Sequence, residues 1–333
     1  NHPYWAAAFA TLSAVIHPTY LLSAALLTFG YMLATIIQEK NIKKSFLIGL
    51  TSAILVIPIM IYVLGNFSSG PNSLEAQHIL AEFRIPHHAM INYWFNLTSI
   101  IKIIIIIIGL RLTRKAPRIY FPLLVSFLIS LALSLWQFMA GNNFLALIFP
   151  WRPSVYLVPV CTSIIIGSII TIVEDKFINN FALARNILLV VSLVALLIFF
   201  SAGLLHIKLA FKAKENAPEK AMLDWVARNS TNDDIFLIPI KMENFRTSTL
   251  RPCYTDYLSI PYSDSDVIKW YHRVLSSQRF YISCNCSEIK DFINDGEINH
   301  IIVSREQNCF NCANTQLIYE DDNYLIYQII PIK

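Results

Sequence analysis

Long apolar runs constrain this chain more than any other feature of its sequence. Six stretches are almost free of charge and lie near residues 18–37, 45–65, 93–111, 119–140, 153–173 and 186–206. A helix of about 20 apolar residues is long enough to cross the hydrocarbon core of a bilayer. Lipid offers no hydrogen-bond partners, so a spanning segment must satisfy its backbone internally. The sequence therefore predicts a mainly α, polytopic bundle of about six transmembrane helices.

A seventh apolar segment, "YWAAAFATLSAVI" at residues 4–16, is too short to span a membrane alone. It reads either as a re-entrant half-helix or as the end of a helix that starts upstream. The chain begins at Asn1 and has no recognisable signal peptide. We expect this to be the C-terminal part of a larger membrane domain, with further helices before Asn1.

Charge divides the chain into two regions. Residues 1–206 hold 12 Lys and Arg against 5 Asp and Glu, whereas residues 207–333 hold 14 against 17. Every long apolar run lies in the first region, while the second has the composition of a soluble domain. The predicted organisation is a transmembrane domain at 1–206, a linker at 207–217 and a small soluble domain at 218–333.

The connecting loops alternate in charge, which predicts an orientation. Loops 38–44 and 111–118 are rich in Lys and Arg, whereas 66–92 and 141–152 carry few cations. Basic loops stay in the cytoplasm. We therefore expect loops 66–92 and 141–152 and the C-terminal domain to lie outside the cell membrane. The short basic loops serve topology, so no nucleic-acid partner is expected.

The soluble domain alternates helical and extended patterns, which predicts a small α/β layer. Helices are predicted at 218–230, 263–278 and "SEIKDFIND", strands at 234–240 and 298–304, and a β-hairpin in "TQLIYEDDNYLIYQII" with Asp-Asp-Asn at its turn. No Gly-rich phosphate loop is present, so no nucleotide site is predicted.

Four cysteines of this domain form a C-x-C and a C-x-x-C pair: Cys284, Cys286, Cys309 and Cys312. Together with Cys253 they could form disulfides, which suit an oxidising compartment. A zinc site and free thiols are the other interpretations. We expect disulfides among the four paired cysteines and no bound metal.

The stretch "FRIPHH" places a dense polar patch between two apolar spans. Arg84 offers a planar set of donors that matches phosphate or carboxylate. His87 and His88 donate, accept or titrate near neutral pH. The functional interpretation is an anion site for a lipid-linked phosphate at the outer surface. The alternative is an interfacial loop that touches ordinary lipid headgroups.

Three further ionisable residues lie in or beside predicted spans. Arg152, in "FPWRPSVY", is either a second anion-binding residue or an interfacial anchor. His17 is near the bilayer, where ionisable groups are candidates for function, although a packing role is equally consistent. Lys102 is explained by snorkelling to the interface.

Residues 243–273 are rich in arginine and aromatic side chains. This composition fits a surface facing a sugar or a lipid phosphate, or else an aromatic core with solvated ion pairs. The candidate substrate-facing residues are Arg246, Arg251, Asp256, Tyr262, Trp270 and Arg273.

The phrases "FRIPHH", "FPWRPSVY", "LDWVARNSTNDDIFLIPI", "FRTSTLRPCYTDYLSIPY" and "WYHR" resemble a bacterial family of uncharacterised membrane proteins. That family is similar to C-type, membrane-embedded glycosyltransferases and has a C-terminal domain of unknown function. The resemblance covers most of the chain and is most specific at 245–273. It implies sugar transfer from a polyprenyl-phosphate donor to an acceptor on the outer face of the bacterial plasma membrane.

The resemblance also implies roles for particular residues. Arg84, His87, His88 and Arg152 would stabilise the departing lipid phosphate. No residue here matches the family's catalytic carboxylate, which we expect upstream of Asn1. Glu75 and Glu82 are the acids of loop 66–92, and either could act as a base or bind a divalent cation.

Two other functions remain open from the sequence. One is a non-catalytic protein that binds or transports lipid-linked saccharides. The other is a membrane scaffold with an outer protein-binding domain. An inverted repeat would favour a transporter, and none is visible in the sequence.

Overall fold

The computed structural model describes residues 3–66, 70–177, 181–261, 263–283, 285–296, 298–306, 312 and 314–330. The chain forms two compact units. The first holds Asn1–Asn180 with Ser263–Ser265, and the second holds Phe181–Tyr262 with Asp266–Lys333.

Over the residues that the structure describes, the first unit consists of helices and the turns that join them, with no strand. Its helices are α1 (Pro3–Ile16), α2 (Leu21–Glu39), α3 (Ile42–Asn66), α4 (Ser73–His78), α5 (Pro86–Ala89), α6 (Ile91–Trp94), α7 (Leu97–Thr113), α8 (Pro117–Ala140), α9 (Asn143–Leu147) and α10 (Ser154–Phe177). The short helices α4 to α6 and α9 connect the long ones.

Within the described residues of the whole chain, five helices are long and apolar enough to cross a membrane. They cover Pro18–Glu39, Ile42–Gly65, Pro117–Ala140, Ser154–Ile172 and Leu189–Glu215. The sixth predicted span, 93–111, is shorter than expected. Asn96 caps α7 by accepting a hydrogen bond from the Ser99 amide at 3.1 Å, so the helix begins at Leu97. Its 17 residues reach about 25 Å.

Small residues set the distances between the long helices. Gly30 in α2 faces the backbone of α8, and a Cβ at this position would lie 2.4 Å from the Pro122 Cα. Gly109 in α7 faces Cys161 in α10, with an equivalent separation of 2.5 Å from the Cys161 Cβ. Apolar helices in lipid associate through close packing of this kind. These glycines therefore fix how α2, α8, α7 and α10 meet.

The second unit begins with a long helix and continues into a mixed α/β layer. Its elements are α11 (Phe181–Glu215), α12 (Lys220–Asn229), β1 (Phe236–Leu237), α13 (Phe245–Thr249), α14 (Asp264–Ser283), α15 (Ile289–Gly296), β2 (His300–Ser304), β3 (Thr315–Glu320) and β4 (Tyr324–Ile329). Residues 207–215 of the predicted linker belong to α11 and are helical.

The sheet has the order β1-β2-β4-β3. Strands β1 and β2 are parallel, and β4 is antiparallel to both β2 and β3. The predicted hairpin is confirmed as β3 and β4. Strand β1 is much shorter than the predicted 234–240, because Pro239 has no backbone N–H to continue the ladder.

Side chains alternate between two cores, one on each face of the sheet. Phe236 and Ile302 pack with α12 on one face, whereas Leu237 and Ile301 pack with α14 and α15 on the other. All four are fully buried. The central strands are covered on both faces, which explains their continuous apolar sequences.

A disulfide joins the core on the α14 and α15 face of the sheet to the loop before β3. Cys286 and Cys312 are bonded, with their Cα atoms 5.6 Å apart. The other two predicted disulfide partners, Cys284 and Cys309, lie outside the described residues. Cys253 is a buried free thiol of the core on the α12 face of the sheet.

We expect Gly30→Ala to destabilise the first unit by about 1–3 kcal/mol, because the new methyl group overpacks the contact of α2 with α8. Gly167→Ala is the matched control, since a Cβ at Gly167 has no neighbour within 4 Å. Thermal unfolding in nanodiscs measures both. Equal midpoints for the two variants would contradict the packing described here.

Replacing Cys286 and Cys312 together by Ala should destabilise the second unit. The bond spans a sequence separation of 26 residues, and the lost loop restraint is worth about 3.5 kcal/mol in the chain-entropy model. The measurement is thermal unfolding of the double variant beside Lys290→Ala, an exposed substitution in α15. An unchanged unfolding temperature in the double variant would count against a structural role for the bond.

Candidate anion site and a second pocket

The "FRIPHH" stretch forms a turn that ends a widened helix. The six residues that directly follow α4, Ile79–Arg84, form a π-helix. The Ile85 amide donates a hydrogen bond to the Leu80 carbonyl at 3.0 Å. Pro86 then starts α5, where its missing N–H leaves no intrahelical bond unmade. Insertions of this kind are frequent at functional sites.

Three buried alanines hold this turn against α9. Ala81, Ala89 and Ala146 form a small core with Phe149 and Ile85 packed around it. Small side chains let the turn and α9 approach closely. The segment that follows α9 therefore lies beside α5.

An open pocket of about 550 Å³ lies between α5, α6, the start of α7 and residues 149–155. It is lined by His87, His88, Tyr93, Trp94, Asn96, Thr98, Ser99, Lys102, Phe149, Trp151, Arg152, Ser154 and Val155. We call this the anion pocket. Its lining combines aromatic walls, hydroxyl groups and cationic or titratable groups.

The anion pocket gathers positive charge without an acidic counterpart. His87, His88, Lys102 and Arg152 all line it, and no Asp or Glu does. Within the part of the chain that the structure describes, none of these four side chains pairs with a carboxylate. The two histidine rings are 4.2 Å apart, centroid to centroid. This arrangement favours a bound anion.

Arg152 is held by aromatic rings. Its guanidinium carbon lies 4.7 Å from the centroid of the Tyr20 ring and 5.6 Å from that of Phe149. These are cation–π distances. The buried Arg152 Nε has no hydrogen-bond partner among the described residues. Rings position the cation without neutralising it, so its positive charge remains available to a ligand.

The backbone before Arg152 is strained. Phe149 has φ +53°, a left-handed conformation that a bulky residue rarely adopts. The Arg152 amide donates to the Phe149 carbonyl at 2.9 Å and closes this turn. Strain of this kind persists at sites where the surrounding structure imposes it. Beside the turn, Trp151 stacks on Trp94 with centroids 5.4 Å apart and planes 7° apart.

His17 reaches this site indirectly and does not line the pocket. Its Nδ1 lies 2.9 Å from Thr19 Oγ1, and its ring meets the Tyr20 ring edge-on at 5.9 Å. Tyr20 is the ring beneath Arg152. His17 therefore contacts Tyr20, the ring that packs on Arg152, and does not itself line the anion pocket.

Arg84 and the acids of loop 66–92 also lie outside the lining. Arg84 is close enough to lower the pKa of His88. Glu82 Oε1 accepts from Asn143 Nδ2 at 3.0 Å and lies 2.9 Å from His78 Nδ1. Glu75 lies in the first turn of α4. Neither glutamate lines the anion pocket, so neither supplies it with a base.

Burial and charge act together on His88. Partial burial lowers the pKa of His88 below its ordinary 6.5, and the neighbouring His87, Arg152 and Arg84 lower it further. All of these effects disfavour the protonated ring. At neutral pH His88 is therefore an uncharged hydrogen-bonding group, and Arg152 and Lys102 carry the fixed positive charge of the pocket.

Lys102 lines the anion pocket but was not among the site residues predicted from the sequence. The interpretation that Lys102 snorkels to the interface assumes a span that begins at residue 93. The Asn96 cap starts α7 four residues later, which places Lys102 in the second helical turn, where it lines the pocket. The Asn96 cap is the sequence signal that could have placed Lys102 near the start of α7.

The second unit has a pocket of its own, of about 260 Å³. It brings together four of the predicted residues, Arg246, Asp256, Trp270 and Arg273. Arg251 is elsewhere, and its side chain donates to Ser230 Oγ, Asn232 Oδ1 and the Ala227 carbonyl. Tyr262 lies outside the described residues.

Among the residues that the structure describes, no group of three or more His, Cys, Asp or Glu side chains is arranged to hold a metal ion. Cys284 and Cys309, two of the cysteines for which zinc was an interpretation, are outside that coverage.

One family model matches part of the chain. It is described as a domain of unknown function, DUF6798, and matches residues 217–276. This range contains every residue that lines the pocket of the second unit. A comparison with curated proteins finds none that matches the chain.

Removing the charge of Arg152 should raise the pKa of His88. Arg152 disfavours the protonated ring, so Arg152→Gln shifts the His88 titration to higher pH. NMR of ring-labelled histidine in nanodiscs measures the shift. Arg114→Gln, an exposed arginine after α7 that does not line the pocket, is the control. A His88 midpoint that is the same in both variants would contradict the electrostatic contact.

Proposed function

We propose that this chain is an integral membrane protein that binds a polyprenyl-phosphate-linked saccharide in the anion pocket. The observation that carries the proposal is the convergence of Lys102, Arg152, His87 and His88 on a pocket without a carboxylate. A lipid phosphate supplies the missing negative charge. Arg152 has a planar set of donors suited to phosphate oxygens, and Lys102 adds a compact cation.

The proposed location is the outer face of a bacterial plasma membrane, with the C-terminal domain outside. The basic loops 38–44 and 111–118 support cytoplasmic positions for those connections. Loop 111–118 follows α7, and the pocket residues of α7, Lys102 among them, lie toward the opposite end of that helix. A phosphate of the outer leaflet would then lie at the depth of Lys102, near the start of α7.

Glycosyl transfer is the reaction that the sequence resemblance favours. The bond between the anomeric carbon and the phosphate oxygen breaks, and its electron pair stays on the phosphate. A new bond forms from the anomeric carbon to the acceptor oxygen, and the acceptor proton goes to a base. Lys102 and Arg152 would stabilise the charge that develops on the departing phosphate. The described lining of the pocket contains no carboxylate base.

A second candidate function is non-catalytic binding or transport of the same lipid-linked saccharide. It is favoured by that absence of a carboxylate from the described lining. The two functions share the phosphate site. They differ in whether sugar is released from the donor when an acceptor is supplied.

The direct test is binding of a polyprenyl phosphate to the full chain in nanodiscs, with a neutral polyprenol for comparison. Lys102→Gln and Arg152→Gln should each weaken phosphate binding about 10- to 100-fold, the range expected for a lost charged hydrogen bond. Polyprenol binding should stay unchanged. His87→Ala should have a smaller effect, since it removes one hydrogen-bonding ring and leaves Lys102 and Arg152 in place.

Lys115→Gln and Arg114→Gln are the matched controls, because both residues are exposed cations away from the pocket. Preserved binding in these controls attributes the loss to the site. Equal affinity for phosphate and polyprenol in the unchanged protein, or equal losses in pocket and control variants, would refute the proposal. The "FRIPHH" segment would then be an ordinary membrane-interface loop. The alternative function, a membrane scaffold with a protein-binding domain, would be favoured.

A further inference from the structure

The pocket of the second unit lies between α14 and the loop that precedes it. Its volume of about 260 Å³ is below the range of roughly 300–1,000 Å³ that holds drug-sized ligands. A single sugar ring or a molecule of similar size fits this space. Two of its features indicate what kind of ligand it takes.

The floor of this pocket is a fixed ion pair. Asp256 is buried, and its Oδ2 lies 3.1 Å from Arg246 Nε. The Ser259 amide donates to Asp256 Oδ1, and Trp270 Nε1 donates to the Asp256 carbonyl at 2.9 Å. Arg246 also contacts Cys253 Sγ at 3.0 Å. These bonds hold the loop in one conformation and keep the Arg246 guanidinium paired with the Asp256 carboxylate.

The wall formed by α14 carries two further cations, Lys269 and Arg273. Lys269 is exposed and, over the described residues, its ammonium group makes no ion pair. Arg273 follows one turn later, with its guanidinium carbon 4.6 Å from the centroid of the Tyr254 ring. Both line the pocket. They offer a binding point for the anionic group of a ligand.

A buried hydroxyl indicates that the ligand also has polar groups. Thr255 lines the pocket and is only 3% exposed. Its Oγ1 has no hydrogen-bond partner among the described residues. Buried hydroxyls are normally bonded, and each exception calls for an explanation. A ligand hydroxyl would supply the partner, and the Asp266 carboxylate lining the same pocket could accept from another.

We propose that this pocket binds an anionic monosaccharide, a hexose-sized ring that carries a carboxylate or a phosphate. Lys269 and Arg273 contact the anionic group, and Thr255 and Asp266 contact ring hydroxyls. The site lies wholly within the segment that the DUF6798 model matches. The proposal does not rest on the lipid-phosphate site, because it uses other residues in another unit.

Equilibrium dialysis of the full chain in nanodiscs tests this site with four probes: glucuronate, glucose 6-phosphate, glucose and inorganic phosphate. At least one acidic sugar should bind saturably, and about tenfold more tightly than glucose or inorganic phosphate. Glucuronate and glucose 6-phosphate tell a carboxylate from a phosphate. Binding of inorganic phosphate alone, or equal binding of glucose, would overturn the proposal, as would binding of none of the four.

Two variants and a control identify the site. Lys269→Gln should weaken acidic-sugar binding about tenfold, since a charged hydrogen bond is lost. Thr255→Val keeps the shape of the side chain and removes the hydroxyl. It should weaken binding without lowering the unfolding temperature, because the hydroxyl has no internal partner to lose. Lys290→Gln in α15 is the control, and binding that is the same in Lys269→Gln and Lys290→Gln would also overturn the proposal.

Discussion

Uncompensated positive charge beside an apolar helix bundle is the constraint on which the first unit depends. Separating a cation from counter-charge near a hydrocarbon boundary is unfavourable, and this fold places Lys102 and Arg152 together with no carboxylate in the pocket they line. The surrounding structure holds them there. Tyr20 and Phe149 contact the Arg152 guanidinium with their ring faces, and the strained Phe149 backbone sets where Arg152 projects. The lipid-linked phosphate that we propose as the ligand would supply the missing negative charge.

The long helices and the pocket are connected through a few close contacts. Gly30 brings α2 against α8, and Gly109 brings α7 against α10. Tyr20 precedes α2, Lys102 belongs to α7, and Arg152 precedes α10. The helices that pack through these glycines therefore carry the residues of the site. A change in packing deep in the bundle should reach the anion pocket through the helix ends.

Much of this architecture follows from the sequence, and the exceptions have physical causes. Apolar length predicted helices long enough to cross a membrane, and an extended pattern with Asp-Asp-Asn at its turn predicted the β3–β4 hairpin, because both signals are local in the sequence. The start of α7 depended on one side-chain cap, Asn96, which hydropathy does not register. An anion site was predicted from residue type at Arg84, His87, His88 and Arg152. Lys102 was not included, because its place at the pocket depends on where α7 begins. Strand β1 was overestimated because Pro239 limits its backbone pairing.

The central claim is that Lys102 and Arg152 bind a lipid phosphate directly. The most direct measurement is an electron cryo-microscopy map of the full chain in nanodiscs loaded with a polyprenyl phosphate. The account predicts density for the phosphate within hydrogen-bonding distance of both the Lys102 ammonium and the Arg152 guanidinium. Phosphate density elsewhere on the chain, with the anion pocket empty or filled by an acyl chain, would contradict it.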